Sequence, residues 1–485
     1  MTIDEFKTYG HKIVDWIAEF YETIEERPVM SQVMPGEVKT RLPSAAPETP
    51  ESMDRILADF DSIILPGITH WQHPSFFAYF PANGSFPSLL AEMLTAALGA
   101  QCMIWQTSPA AAELEEVVME WLKKGLGLPD AFTGVLQDTA STATLCALVS
   151  AREKATGFAG NEKGAAAAGK AAGTLRVYTS AESHSSVEKG AKIAGFGREN
   201  VIKIPVDGNF AMIPDKLEEI LKRDLAAGYK PACIVAALGS TSSLALDPLG
   251  PVGRIAERFG LWFHVDAAMA GSAALLPEKR RILEGVEYAD SFVFNPHKWL
   301  FTNFDCSAYF VKDPAHLINT FSITPEYLKT SVDGEVKNYR DWGVQLGRRF
   351  RALKLWFVLR SFGLEGLREK LRAHIAQAEQ FTAWLREDGR FEILAPVNLN
   401  LVCFRYIPRS GQSPRTPDSP GVPSEAELET INKKLLDRVN GTGKVFLTHT
   451  KLNGKFTLRM CIGQTNTEER HVRQAWELLR DYAGS

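Results

Sequence analysis

No run of residues in this chain approaches the ~20 consecutive apolar side chains needed to cross a bilayer as a helix, so no membrane partner is expected. Neither sign of charge dominates. Lys and Arg number 54 against 58 Asp and Glu, and the net charge of −4 gives no electrostatic reason to expect nucleic acid. The six cysteines, at 102, 146, 233, 306, 403 and 461, form no CxxC pair and no metal-ligand spacing, so they read as reduced, mostly buried thiols and no metal is expected. Asp4 and Glu5 stand where a secretory signal would need basic residues, and a cytoplasmic location is expected. The stretch Gly164 to Ala171 lacks the Ser or Thr with which a P-loop holds magnesium, and no strand precedes it. No internal repeat is present. These absences leave a small molecule as the expected partner.

What is there is an ordinary globular composition, 45% apolar and 23% charged, in a chain of 485 residues that exceeds one ordinary core. Apolar residues at 3, 6, 13, 14, 17, 20, 21 and 24 mark a helical stripe that must bury itself on something. Pro28 to Pro50 reads as an extended connector, and the aromatic-rich stretch His70 to Pro81 breaks into Ala82-Asn83-Gly84-Ser85. From Phe86 to about Phe362, strand-like runs alternate with helical patterns, which argues for an α/β domain with a mostly parallel sheet covered on both faces. The strand candidates are Gly134 to Leu136, Leu175 to Tyr178, Cys233 to Ala237, Trp262 to Val265 and Phe292 to Phe294. Gly160 to Gly173 and Pro408 to Pro423 are low in information and read as surface loops. The expected division is 1–85, an N-terminal helical segment, 86–362, a large domain, and 363–485, a smaller C-terminal domain.

The chemistry concentrates where strands end. Lys298, in Asn295-Pro296-His297-Lys298-Trp299-Leu300, sits just past one strand candidate and between aromatic neighbours, a poor setting for a solvated ammonium and a good one for an imine-forming amine. Asp266 ends the apolar run Leu261 to Val265 and faces Ala267 and Ala268, small residues that leave room for something flat. Thr139, Ala140 and Ser141 open a helix after another strand, where backbone N–H groups and hydroxyls suit a phosphate. His184, within Ser183-His184-Ser185-Ser186, and Thr241, within Gly239-Ser240-Thr241-Ser242, follow two further strands and so reach the same rim, the first to stack on a ring and the second to donate a hydroxyl. A carboxylate for a heterocyclic nitrogen, a lysine amine and a phosphate cradle are what pyridoxal 5′-phosphate requires. Asp266 would keep the pyridine nitrogen protonated, and that ring would accept the electron pair left at Cα when a bond breaks.

With these residues in view, the chain resembles the pyridoxal-phosphate-dependent group II amino acid decarboxylases, and within them the aromatic L-amino acid decarboxylases, over essentially its whole length. The likeness is carried by HWQHPSFFAYFP, SHSSVEKGAKIAG, DGNFAM, HVDAAMAGSA, NPHKWLFTNFDCSA, LGRRFRALKLWFVLR and RQAWELL. It implies the aspartate aminotransferase-like fold (fold type I) of pyridoxal-phosphate enzymes, with a smaller C-terminal α+β domain. It implies that Lys298 carries the imine, Asp266 contacts the pyridinium nitrogen and His184 stacks on the ring, with Thr139, Ala140, Ser141, Asn295 and His297 at or around the phosphate. It also implies a homodimer with the site at the subunit interface and the N-terminal helices packed across the two-fold axis.

Within this resemblance, family decarboxylases carry a tyrosine on a loop that protonates the substrate carbon, and related aldehyde synthases have phenylalanine. Tyr327 therefore implies release of CO2 and the amine; oxidative production of an aldehyde, or a different side-chain class such as histidine, is the alternative. Trp71, Tyr79, Phe80 and Pro81 match an aromatic pocket. Gly347 stands where relatives acting on histidine or tyrosine often have serine, which favours phenylalanine-, DOPA- or tryptophan-like substrates. Four positions depart from the pattern: Gln101 and Met103 replace apolar and aromatic pocket residues, Met269 a common tyrosine, and Asp138 a common glycine beside the phosphate loop. An acid near a phosphate is unfavourable unless it points away or pairs with a cation.

Overall fold

The apolar runs become the buried strands of a seven-stranded sheet in the computed structural model, which describes residues 1–166, 169, 173–323, 334–408 and 423–483. The strands are β1 (Thr133–Gln137), β2 (Leu175–Ser180), β3 (Val201–Ile204), β4 (Lys230–Ala237), β5 (Trp262–Asp266), β6 (Ser291–Phe294) and β7 (Ser307–Val311), in the order β1-β7-β6-β5-β4-β2-β3. Five of them, β6-β5-β4-β2-β3, pair in parallel, and β7 runs antiparallel to both its neighbours. Every residue of β5, β6 and β7 is buried, so their sequences are mostly apolar and show no inside–outside alternation. β3 and β7 were not among the strand candidates.

The helix Ala140–Thr156 lies on this sheet because small residues at Ala143, Ala147 and Ala151 let its axis approach closely. Cys146 and Ala147 pack with Val135, Val293 and Tyr309, while Leu148 and Ala151 pack with Val177, Val187 and Cys233. Each fully buried Val or Leu in these clusters contributes about 1.5–3 kcal/mol. The helix stops at Gly157, whose φ of 57° is the left-handed conformation glycine tolerates best. Part of the stretch expected as a loop is helical: Ala159–Lys163 forms a short helix. Residues 409–422 of the other low-information segment lie outside the described residues.

Packing divides the chain into two units, Met1–Pro81 with Ala383–Glu392 and Phe404–Ser485, and Ala82–Thr382 with Ile393–Cys403. The second holds the seven-stranded sheet. The first holds the helix Ile3–Glu22, started by a capping box between Thr2 and Glu5, and the helices Glu425–Gly441 and Glu469–Tyr482. It also holds a hairpin of β8 (Thr448–Leu452) and β9 (Lys455–Cys461), which belongs to a four-stranded sheet. Asn453 and Gly454, both at positive φ, form the two-residue turn that matches strand twist. The stripe expected on the first helix is there, but none of the helix is buried, and Ile3 and Phe6 are among its exposed residues.

Candidate active site

The carboxyl ends of β1, β2, β4, β5 and β6 deliver the predicted residues to one rim of the sheet, where an open parallel sheet accepts ligands. β5 and β6 are neighbours with Asp266 opposite Val293, and the pairing continues past both strands: Ala267 N–H donates to Val293 O at 2.9 Å and Asn295 N–H to Ala268 O at 3.1 Å. Lys298 follows in the one-turn helix Pro296–Trp299, where proline at the first position costs no hydrogen bond. Its backbone is pinned from several sides. Asn83 Nδ2 donates to Lys298 O at 2.5 Å, Asn83 N–H to His297 O at 2.8 Å, and buried Trp299 donates through Nε1 to His374 at 3.0 Å. The Lys298 side chain is half-buried.

Asp266 is buried, and its Oδ1 accepts the Ala268 N–H at 3.0 Å, which orients the carboxylate. Two residues back, His264 is held between Ser291 Oγ at 2.9 Å and Thr144 Oγ1 at 3.5 Å, and burial pushes its pKa down to about 4. His184 caps the helix Ser185–Ile193: its Nδ1 accepts the Ser186 N–H at 3.1 Å, so the neutral ring carries its proton on Nε2. The residue as a whole is exposed, and its pKa is lowered first by burial of the ring, whose Nδ1 also meets buried Ser186. Asp266 pulls that pKa up and Lys298 pulls it down, so the three groups share one electrostatic neighbourhood.

Around them lies a set of anion donors. Thr139 caps the helix that begins at Ala140, and the first-turn N–H groups of Ala140 and Ser141 have no intrahelical acceptor. Ser141 is exposed. His297 is buried; its Nδ1 accepts the Cys306 N–H at 2.9 Å, and burial, with Lys298 beside it, lowers its pKa to about 3, so it is a neutral Nε2–H donor. Asn295 Oδ1 accepts from Ser307 Oγ at the start of β7. Thr241 is exposed in the turn after β4, which closes tightly because Gly239 has a φ of 88° and a Cβ there would meet Ala270 Cβ at 2.8 Å.

The structure brings Gln101 and Gly347 together. Gln101 Oε1 accepts the Arg348 N–H at 2.6 Å, and a Cβ on Gly347 would lie 3.3 Å from Gln101 Nε2. Met103 O accepts the Arg340 N–H at 2.8 Å, and Gln137 at the end of β1 donates to Trp342 O at 3.0 Å, so this segment runs along the same rim. Met269 is fully buried. Trp71, Tyr79, Phe80 and Pro81 belong to the first unit, where Trp71 stacks on Tyr79 at 5.8 Å and Arg459 lies 5.5 Å over Phe80; Trp71 and Tyr79 are exposed, Phe80 and Pro81 buried. Tyr327 lies outside the described residues. Sequence reasoning overlooked Asn83, and it overlooked Gln345, whose Nε2 reaches Asp138 at 2.8 Å. Neither carries a local signal, because each acts on a residue more than 200 positions away.

The donor set fits pyridoxal phosphate: a buried, oriented carboxylate beside small residues, a lysine amine, an imidazole with an open face, and helix-terminal amides with a neutral histidine for an anion. Residues 35–407 match the pyridoxal-dependent decarboxylase conserved domain. The chain is 45% identical to phenylacetaldehyde synthase of Arabidopsis thaliana, across 100% of this chain and 96% of that protein. It is 44% identical to tryptophan decarboxylase 2 of Oryza sativa subsp. japonica, across 100% of this chain and 95% of that one. The crystal structure of Oryza sativa TDC with PLP and tryptamine aligns with a TM-score of 0.93 at 38% identity, covering 100% of this chain and 98% of that one.

Proposed function

Because this chain belongs to the pyridoxal-dependent decarboxylases, we propose that it removes the α-carboxyl group of an aromatic L-amino acid and releases carbon dioxide and the amine. When bound, pyridoxal phosphate supplies an aldehyde that condenses with amines and a protonated ring that accepts the electron pair freed by decarboxylation. The observation that carries the reading is that Asp266, His184 and Lys298 stand at the ends of strands along one carboxyl rim of the sheet, where Asp266 and Lys298 both act on His184.

Lys298 is the amine that holds the cofactor and yields to the substrate amine. Asp266, with Oδ1 fixed by Ala268, holds a proton on the ring nitrogen. His184 offers its open face as a stacking lid, and its Nε2–H stays available at the rim. Ala140, Ser141 and His297 donate to the phosphate, with Thr139, Thr241, Ala268 and Asn295 shaping its surroundings. Gly347 beside Gln101 leaves depth for a phenyl, catechol or indole side chain. Tyr327 carries the proton that completes the amine.

A second reading, oxidative conversion to an aldehyde, is favoured by the likeness to phenylacetaldehyde synthase. A panel of phenylalanine, DOPA and tryptophan, assayed for carbon dioxide, amine, aldehyde, ammonia and hydrogen peroxide, separates the two. Amine without peroxide supports decarboxylation; peroxide and aldehyde in equal amounts overturn it. Tyr327→Phe should then divert product toward aldehyde.

The working form is a homodimer. Phe86, Leu90, Leu94 and Leu98, four residues apart on the helix Phe86–Leu98, stand exposed as an apolar stripe, which supports burial against a second copy. Sedimentation of the holoenzyme tests it: Leu90→Glu with Leu94→Glu should give monomers, and an unchanged mass would refute the placement.

A further inference from the structure

The departure at position 138 places a negative charge against the phosphate cradle. Asp138 lies between β1 and the helix Ala140–Thr156; its Oδ1 accepts the Thr139 N–H at 2.6 Å and the Thr139 hydroxyl at 3.3 Å, and its Oδ2 accepts Gln345 Nε2 at 2.8 Å. These partners are neutral. Arg351, a cation whose charge Asp138 helps to favour, is committed to Asp305 at 2.8 Å. Among the described residues no cation is hydrogen-bonded to this carboxylate, and it uses a donor the cradle would otherwise offer. Thr142 N–H is spent as well, on Thr139 Oγ1 at 3.4 Å. At the head of this helix an incoming phosphate is left with the N–H groups of Ala140 and Ser141 and the Ser141 hydroxyl, beside the Nε2–H of His297.

We infer that Asp138 is a resident anion that competes with the cofactor's phosphate for the head of this helix and repels it, so that the chain holds its cofactor weakly and exchanges it readily. The inference rests on the rim being the cofactor site. Its two hydrogen-bonded oxygens fix the carboxylate in place, so the repulsion cannot be relieved by rotating the side chain away. Partly screened repulsion between neighbouring like charges near a protein surface corresponds to about tenfold in affinity.

The experiment titrates apoenzyme with pyridoxal phosphate, pyridoxal and inorganic phosphate, reading tryptophan fluorescence, and visible absorbance for the two aldehydes. Asp138→Asn removes the charge and keeps the partners, since Oδ1 can still accept from Thr139 and the Gln345 amide can turn to present its oxygen to Nδ2. It should bind pyridoxal phosphate and inorganic phosphate about tenfold more tightly, release the former more slowly, and bind pyridoxal as the parent does. The gain should shrink as salt rises from about 0.02 to about 0.5 M. Asp138→Gly, which also frees the Thr139 N–H, should bind at least as tightly and serves if the asparagine variant folds poorly. Phosphate affinity that is unchanged or weaker in both variants overturns the inference, as does an equal gain for pyridoxal. Failure of the site assignment itself is read separately, from persistence of the visible band in Lys298→Ala.

Discussion

Replacing Arg348 by methionine should destabilise the protein in a way that depends on pH. Arg348 Nη2 donates to Glu115 Oε1 at 2.6 Å and to Leu136 O at 2.7 Å, Nη1 donates to Cys102 O at 3.3 Å, and the guanidinium lies 4.7 Å over the Tyr339 ring. The two charged side chains are only 6% and 3% exposed. Methionine keeps the volume of the stem but leaves Glu115 with the Leu136 N–H, at 2.8 Å, as its remaining donor among these contacts. Breaking a buried pair from one side costs about 3–5 kcal/mol. The stranded carboxylate can escape that penalty by taking a proton, which for an ordinary glutamate costs about 3.7 kcal/mol at pH 7 and about 1.4 at pH 5.3. The raised folded-state pKa makes the variant lose stability as pH rises, so the deficit should be about 2 kcal/mol larger at pH 7 than at pH 5.3. Urea unfolding followed by circular dichroism at the two pH values measures it. Adding Glu115→Gln should recover most of the loss at pH 7. A deficit that ignores pH, or that survives the second substitution, would show that the pair is not what holds this segment.

Lys298→Ala should leave the fold intact and abolish both carbon dioxide release and the visible absorption of bound cofactor; a coloured, active variant refutes the role of Lys298. Burial holds His264 near a pKa of about 4 and His297 near about 3. Unfolded imidazoles titrate near 6.5, so below that pH the unfolded chain binds more protons and stability falls, by about 2 kcal/mol per group at pH 5. His264→Asn should remove one such share of the acid sensitivity, and a urea midpoint that drops as steeply as the parent's between pH 6.5 and 5 would refute it. Gly347→Ser puts a side chain 3.3 Å from Gln101 Nε2 and should lower kcat/KM for tryptophan relative to phenylalanine by about tenfold, measured in competition.

Much of the sheet was legible because β1, β2, β4, β5 and β6 each contain a mostly apolar run followed by a polar turn, and because such sheets place ligands at one end. β7 was not, since it joins β6 by a short antiparallel return that a strict strand–helix alternation does not anticipate, and β3 carries exposed Lys203 in a four-residue edge. Lys298 and Asp266 announced themselves by local context. The contacts of Asp138 did not: the charge beside the phosphate loop is legible in the sequence, but its partner Gln345 is supplied by a distant segment that only the fold brings there. Gln101 meeting Gly347 is legible for the same reason only in three dimensions.

The capping bond made by His184 has a bearing on how its variants are read. The imidazole is also the side-chain acceptor that starts the helix Ser185–Ile193, and losing such an acceptor costs about 0.5–2 kcal/mol. Alanine at this position would therefore lower melting temperature and turnover together, for unrelated causes. Asparagine restores the acceptor while deleting the aromatic surface, so the difference between the two variants isolates what the ring contributes to catalysis.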